Sequence, residues 1–217
     1  MTPDARPSPL VIVGAGGLGR ETAALVSDIN TARPTWDLLG FVDDRPGLHS
    51  VPLFDLPVLG DVEWLCRQTD LAYVLAVGSS LTRARLGRRL AGHPLTAATL
   101  THPTVALSPS VAVGAGTIIF RGVIVMLAVT LGTHVVLDVN TTVGHDSILG
   151  DYTTAHPGVH LSGDIRIGEA VELGAGSVVL PGVAIGNETV VGAGAVVTRP
   201  LPAHCTAVGV PARPLGT

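Results

Sequence analysis

Residues 131–172 read, broken into sixes, LGTHVV LDVNTT VGHDSI LGDYTT AHPGVH LSGDIR IGEAVE. Each block opens on an aliphatic residue: Leu131, Leu137, Val143, Leu149, Ala155, Leu161, Ile167. The phase continues without insertion, back through Val125, Ile119 and Val113 to Leu107 and forward through Leu173, Val179, Ile185 and Val191 to Val197. A period of six fits neither the 3.6 of an amphipathic helix nor the plain alternation of an exposed strand, so each hexad is a short strand plus a corner. Glycine follows the aliphatic residue at 114, 132, 144, 150, 168, 174, 186 and 192, where a corner calls for backbone angles that a side chain resists. Four positions after the aliphatic residue stand small or β-branched residues, among them Thr117, Val123, Thr141, Ser147, Thr153 and Val171, which suit a narrow interior of stacked parallel strands. The pattern predicts a parallel β-helix of hexapeptide repeats. A sandwich or barrel would carry loops of varying length, and sixteen in-phase hexads leave none.

Ahead of the hexads lies a different pattern, predicting an α/β domain. Residues 9–13 read as a buried strand running into Gly14-Ala15-Gly16-Gly17-Leu18-Gly19-Arg20-Glu21, with a helix over 22–29. Glycines let a backbone approach an anion, and a helix N-terminus offers free N–H groups and a positive dipole end. A second strand over 38–42 ends in Asp43-Asp44, about where an acidic residue meets a ribose hydroxyl in nucleotide-binding folds. A third over 72–77 ends in Gly78-Ser79-Ser80, with a helix over 81–90 behind it. Three strands thus bring polar or glycine-rich ends to the edge where open α/β sheets bind ligands. Such turns also occur simply to let a helix pack on a strand, so a purely structural domain is the alternative. His102-Pro103 and Ser108-Pro109-Ser110 mark the passage between the parts, giving domains of 1–100 and 101–217.

Composition narrows the function classes. The 217-residue chain is 47% hydrophobic, ample for a core, and no apolar run approaches the ~18 residues of a membrane span. The N-terminal MTPDARPSP lacks the basic start and apolar centre of an export signal, so a soluble cytoplasmic protein is expected. A net charge of −4 with 3% aromatics argues against a nucleic-acid partner. All thirteen basic residues are Arg, which excludes Schiff-base chemistry and a Walker-type lysine. Arg83, Arg85, Arg88 and Arg89 read as the solvated face of a helix, with Arg83 the member most suited to a phosphate. Cys66 and Cys205 lie far apart outside any ligand pattern and read as free thiols.

The chemistry concentrates at His145. It is followed by Asp146 on a strand that switches faces, with Asp138, Asn140, Thr141 and Thr142 just upstream, a polar island in an apolar repeat. An imidazole beside a carboxylate is a natural general base. Three hexads make one triangular coil, so residues eighteen apart stack on neighbouring coils about 4.8 Å apart. His145 therefore stacks on Gly163, whose N–H, free of a side chain, can face a developing oxyanion. The same arithmetic puts Asp138 beside His156 in a hydrogen bond or ion pair. His134, His145 and His156 fall at different hexad phases, so no metal is expected. No Gly-x-Ser-x-Gly elbow and no partnered Ser or Cys supports covalent catalysis.

With GAGGLGRE, FVDD, AVGSSLTR, NTTVGHD, GDYTTAHPGVHLSGDIRIG, LGAGSVVLPGVAIG, VVGAGAVV and GVPAR in this order, the chain resembles the NeuD/PglD family of bacterial sugar acyltransferases over nearly its whole length. The resemblance implies a Rossmann-like domain followed by a left-handed β-helix. It implies a homotrimer with coenzyme A between subunits, and acetyl transfer from acetyl-CoA to a sugar amine or hydroxyl, most often on a nucleotide sugar. By position, His145 matches the base, Asp146 the acid that follows it, and Gly163 the amide near the acetyl carbonyl. Gly174, Ala175, Gly192 and Ala193, with Val210 and Pro211 in the terminal GVPAR, match the coenzyme lining. Gly14, Gly16, Gly17, Asp43, Gly78, Ser79 and Arg83 match the nucleotide-sugar site, with Asp138 and Asn140 near the acceptor. Asp138 replaces a frequent Asn, Thr154 a frequent second His, and Leu18 a His of some relatives. The expected mechanism is direct transfer to the amino group of a nucleotide-linked amino sugar. A sialic-acid-like O-acetyltransferase, a non-catalytic ligand-binding trimer and a nicotinamide-dependent oxidoreductase are the alternatives.

Overall fold

The computed structural model describes residues 6–48 and 54–215. The apolar run from Leu10 to Val13 lies at the centre of a parallel sheet. There β1 (Ser8–Val13) is flanked by β2 (Trp36–Val42) and β4 (Leu71–Leu75). β3 (Val58–Gly60) and β5 (Leu95–Ala97) complete the order β3-β2-β1-β4-β5, with every pairing parallel. The main helices are α1 (Gly17–Ala32), the short α2 (Val62–Cys66) and α3 (Ser80–Leu90). Helix α1 starts five residues before the predicted 22–29, because Gly16 is the extended cap and the rest of the glycine loop is its first turn. The short β3, α2 and β5 carry too little periodicity to be read from sequence.

From Leu100 onward the chain is a left-handed β-helix of two-residue rungs on three parallel faces. One face stacks Ala112–Val113, Thr130–Leu131, Ile148–Leu149, Arg166–Ile167 and Ala184–Ile185. The second stacks Ile124–Val125, Thr142–Val143, His160–Leu161, Val178–Val179 and Val196–Val197. The third runs from Leu100–Thr101 through Ile118–Ile119, Val136–Leu137, Thr154–Ala155, Glu172–Leu173 and Val190–Val191 to Thr206–Val208. Rungs pair at an offset of eighteen, as with Val136↔Thr154 and Ile148↔Arg166. At the C-terminal end the offset falls to sixteen, Val190↔Thr206. There Thr206–Val208 folds back antiparallel on Arg213–Pro214 and closes that face.

Every hexad aliphatic from Ile119 to Val197 is buried, and the interior hydroxyls are hydrogen-bonded with the exception of Ser177 Oγ, which is buried without a partner. Thr117 Oγ1 donates to Gly132 O (3.0 Å) and Thr153 Oγ1 to Gly168 O (2.9 Å), which lets polar groups sit in an apolar bore without an unmet bond. The glycines after the aliphatic position have a different reason than backbone angle. A Cβ at Gly144 would meet Gly163 N at 2.5 Å, so they are required by the close approach of adjacent coils. The left-handed backbone falls two residues later, at Asn140 (φ 59), Asp146 (φ 57) and Asp164 (φ 56).

The two parts share one core. Leu10 and Ile12 of the sheet, Leu100, and Ile118, Phe120 and Val136 of the β-helix form a single buried cluster. No helix among the described residues is long and apolar enough to cross a membrane.

Candidate active site

His145 and Asp146 sit at a corner rather than on a strand, between the rungs Thr142–Val143 and Ile148–Leu149. In an extended strand their side chains would point to opposite faces. The left-handed conformation of Asp146 brings them together, with His145 Nδ1 and Asp146 Oδ2 2.8 Å apart. A carboxylate on Nδ1 takes that nitrogen's proton as a hydrogen bond and leaves Nε2 with its lone pair. The pair is open to solvent, His145 being 60% and Asp146 58% exposed. One coil on lies Gly163, where an added Cβ would fall 2.6 Å from His145 Nε2. The two corners are also joined by Asp164 N–H donating to His145 O at 2.8 Å.

The Gly163 N–H sits at an outward hexad position where the N–H groups of only some coils find a side-chain acceptor. At the same hexad position, Thr133 N–H donates to Asp151 Oδ1 (2.7 Å) and Glu169 N–H to Asn187 Oδ1 (3.0 Å), each from the coil above. Above Gly163 the corresponding residue is Pro181, which brings no oxygen. Among the described residues nothing accepts from this N–H. An outward amide without a partner, beside a base with a free lone pair, is suited to a developing oxyanion. Sequence reasoning missed the surroundings of the pair. Leu127, one coil below His145, is 55% exposed, and Ile124, Met126 and Ile148 are exposed with it. Apolar residues at outward hexad positions were the available signal. Arg166 was also missed, and its guanidinium reaches Asp146 O at 2.8 Å.

At the sheet edge, a hollow of about 400 Å³ is lined by Gly14, Gly16, Gly17, Leu18, Asp43, Arg45, Ala76, Val77 and Gly78. A Cβ would meet nothing within 4 Å at Gly16, Gly17 or Gly78, so bare backbone is presented there without a packing reason. The Asp43 carboxylate accepts from Ala15 N–H (2.9 Å) and from Arg45 Nε (2.8 Å). Those donors, Arg45 foremost, hold its pKa down at about 2 against the opposing effect of burial. Ser79 accepts from Thr82 N–H as the cap of α3.

Arg83 corrects two expectations, that it lies on a solvated face and that it belongs to the nucleotide site. It is 0% exposed, and its guanidinium is consumed by the β-helix and its own loop. It donates to His134 O (3.0 Å), Val77 O (2.8 Å), Tyr152 O (2.6 Å) and Thr154 Oγ1 (2.7 Å). Burial pulls its pKa down to about 10, with Glu172 and Tyr152 acting the other way. Thr154 also meets Ser80 Oγ at 2.9 Å, and Glu172 accepts from Ser80 N–H at 2.7 Å. Arg88 pairs with Glu169 (2.6 Å) and Arg89 with Glu63, so this stretch of α3 clasps more than it solvates.

Asp138 and Asn140 lie at a different corner from His145, between the third and second faces. Asp138 borders a hollow of about 290 Å³ with Glu21, Leu25, Asp28, Phe120, Arg121 and Pro157. Burial raises its pKa above the ordinary value, opposed by the Val139 N–H and the charge of His156. No ion pair joins Asp138 and His156 among the described residues. Further along the same corner Ala175 and Ala193 are exposed, while a Cβ at Gly174 would meet Ala193 N at 2.5 Å and one at Gly192 the Val208 side chain at 2.8 Å. Val210 is 74% exposed on the terminal hairpin, ahead of Pro211.

Comparison with known proteins places these features in context. The PglD N-terminal domain family matches residues 9–90, and the bacterial transferase hexapeptide family matches residues 164–199. The chain is 30% identical over 210 residues to GDP-perosamine N-acetyltransferase of Escherichia coli O157:H7, covering 93% of this chain and 94% of that protein. It spans under half of two other curated relatives: 42% of a putative acetyltransferase of Schizosaccharomyces pombe and 43% of a serine acetyltransferase of Synechococcus elongatus. Among solved structures, a variant of perosamine N-acetyltransferase from Caulobacter crescentus, in complex with CoA and GDP-perosamine, superposes with a TM-score of 0.86 at 32% identity, covering 96% and 97% of the two chains. The acetyltransferase domain of PglB from Neisseria gonorrhoeae with acetyl coenzyme A gives 0.88 at 30% identity, covering 96% and 100%.

Proposed function

The chain belongs to the NeuD/PglD-like family of sugar acyltransferases, and from that premise we propose that it is an acetyl-CoA-dependent N-acetyltransferase acting on the amino group of a nucleotide-linked amino sugar. The observation that carries the proposal to particular residues is the corner geometry: His145 held by Asp146 through Nδ1, with its Nε2 edge over Gly163.

The amine enters as its neutral form and attacks the thioester carbonyl. As the N–C bond forms, His145 Nε2 takes a proton from the nitrogen, and Asp146 stabilises the imidazolium. The carbonyl oxygen becomes an oxyanion facing the Gly163 N–H. Collapse breaks the C–S bond, and the proton on His145 passes to the leaving thiolate of coenzyme A. No acyl-enzyme forms. Holding both substrates in one cleft supplies much of the acceleration.

In this reading residues 1–100 hold the acceptor and 101–217 carry the chemistry. The bare backbone of Gly14, Gly16, Gly17 and Gly78 receives the nucleotide, with Asp43 at the ribose side. The exposed Ala175 and Ala193 and the Val210-Pro211 hairpin receive coenzyme A, Gly174 and Gly192 serving the coil stacking beneath. The exposed apolar Ile124, Met126 and Leu127 support a trimer, which would bring Asp138 and Asn140 of one copy toward His145 of the next.

The test is release of free coenzyme A from acetyl-CoA against nucleotide-linked amino sugars, GDP-perosamine among them, and against sialic acids. Acceptor-dependent release is expected. His145→Ala should lose about 10²- to 10⁴-fold in turnover while still binding coenzyme A. Near wild-type turnover in a folded His145→Ala variant would falsify the assignment of the base.

A further inference from the structure

We propose that Arg166 is a positioning residue for the transfer, fastening the corner that presents His145 to the corner that presents Gly163. The proposal rests on the roles of His145 and Gly163 given above. Arg166 lies directly over Ile148 on the outer side of its face. The same column holds Ala112, Thr130, Ile148, Arg166 and Ala184, so a long cationic side chain occurs only beside the reacting corners.

From there Nη1 reaches back to three groups. It donates to Asp146 O at 2.8 Å and to Ile165 O at 3.1 Å, and stands 3.3 Å from Asp164 Oδ1. Asp146 and Asp164 are the left-handed residues of successive corners, at φ 57 and φ 56. His145 precedes the one and Gly163 the other, so a single guanidinium ties together the residues next to the base and next to the oxyanion donor. The tie has an electrostatic side. The Asp164 carboxylate adjoins the Gly163 amide, and left alone it would oppose negative charge developing there; Arg166 supplies its counter-charge. A planar, always-charged group can serve a carbonyl and a carboxylate at once, which an ammonium does less well.

Arg166→Met keeps the apolar stem and removes the donors, and Arg166→Lys keeps the charge. With acetyl-CoA and GDP-perosamine as probes, the Met variant is expected to lose about tenfold in kcat, with KM for acetyl-CoA within about twofold, because misplacement of reacting groups acts on the chemical step. The Lys variant should recover part of that loss. A readout independent of acceptor is the histidine NMR spectrum of 15N-labelled protein, with the His145 signal assigned by its absence in His145→Ala. The Nδ1–H resonance of that imidazole should broaden or shift in the Met variant and be partly restored in the Lys variant. Wild-type kcat with an unchanged His145 resonance in the Met variant overturns the proposal. Equal losses of kcat and Tm in both variants overturn it as well, since that is the mark of a purely structural residue. If the wild-type protein transfers nothing to GDP-perosamine, the acceptor reading fails, and the His145 resonance still decides the role of Arg166.

Discussion

The Nε2 of His145 stands 2.6 Å from the point where a β-carbon on Gly163 would be, so the base occupies the space that glycine leaves. Gly163 is not in the left-handed region, so alanine fits its backbone and only the imidazole must move. Gly163→Ala is therefore expected to fold, with Tm close to wild type, and to lose on the order of 10²-fold in kcat, as ångström-scale displacement of a reacting group does. Steady-state kinetics beside a thermal melt check this. Unchanged kcat would mean that His145 works from another position.

Arg83 gives the opposite split between stability and turnover. Arg83→Met leaves the buried carbonyl of His134 and the part-buried carbonyls of Val77 and Tyr152 without their Arg83 donor. The expected cost is about 3 kcal/mol, or roughly 10 °C in Tm for a chain of this length. KM for a nucleotide-linked acceptor should stay near wild type when measured well below the melt. A raised KM with unaltered Tm would return Arg83 to the ligand.

His134 makes stability fall in mild acid. Its imidazole lies between Tyr73 and Tyr152, at centroid separations of 6.0 and 5.2 Å, and its Nδ1 is buried without a partner. Burial first, and the charge of Arg83 second, pull its pKa from 6.5 to about 4. Between those values the unfolded chain takes up a proton that the folded chain refuses, so stability declines as pH falls from 6.5 to 4. The loss across that window is on the order of 3 kcal/mol. His134→Asn, a residue that tolerates the left-handed backbone at this position (φ 54), should be less stable at neutral pH, yet show a flatter dependence across the window. Denaturant midpoints at intervals of pH measure the two slopes, and parallel slopes would clear His134.

The β-helix was legible because one rule, an aliphatic residue every six, places every inward side chain and makes residues eighteen apart neighbours. That arithmetic put His145 on Gly163, as the structure has it. It did not supply the reason for the glycines at 144 and 174, which lies in the backbone of the next coil and not in their own angles. Arg83 was misread for a related reason. In sequence it is one of four arginines on a helix, and only the packing of α3 on Thr154, His134 and Tyr152 shows that its partners come from 51 to 71 residues away. Arg166 was missed because, beside its local contacts to Asp164 and Ile165, its meaning depends on the carbonyl of Asp146, twenty positions earlier.

The fold-back of Arg213–Pro214 onto Thr206–Val208 has a bearing on solubility. A screw of parallel rungs has no internal reason to stop, and a bare final rung is a template on which another chain could add its own. On the longest face one end is shut by this hairpin and the other merges into the core shared with the α/β sheet. Rung-by-rung growth along that face is thereby obstructed at both ends, where a bare parallel rung would otherwise be a template for another chain.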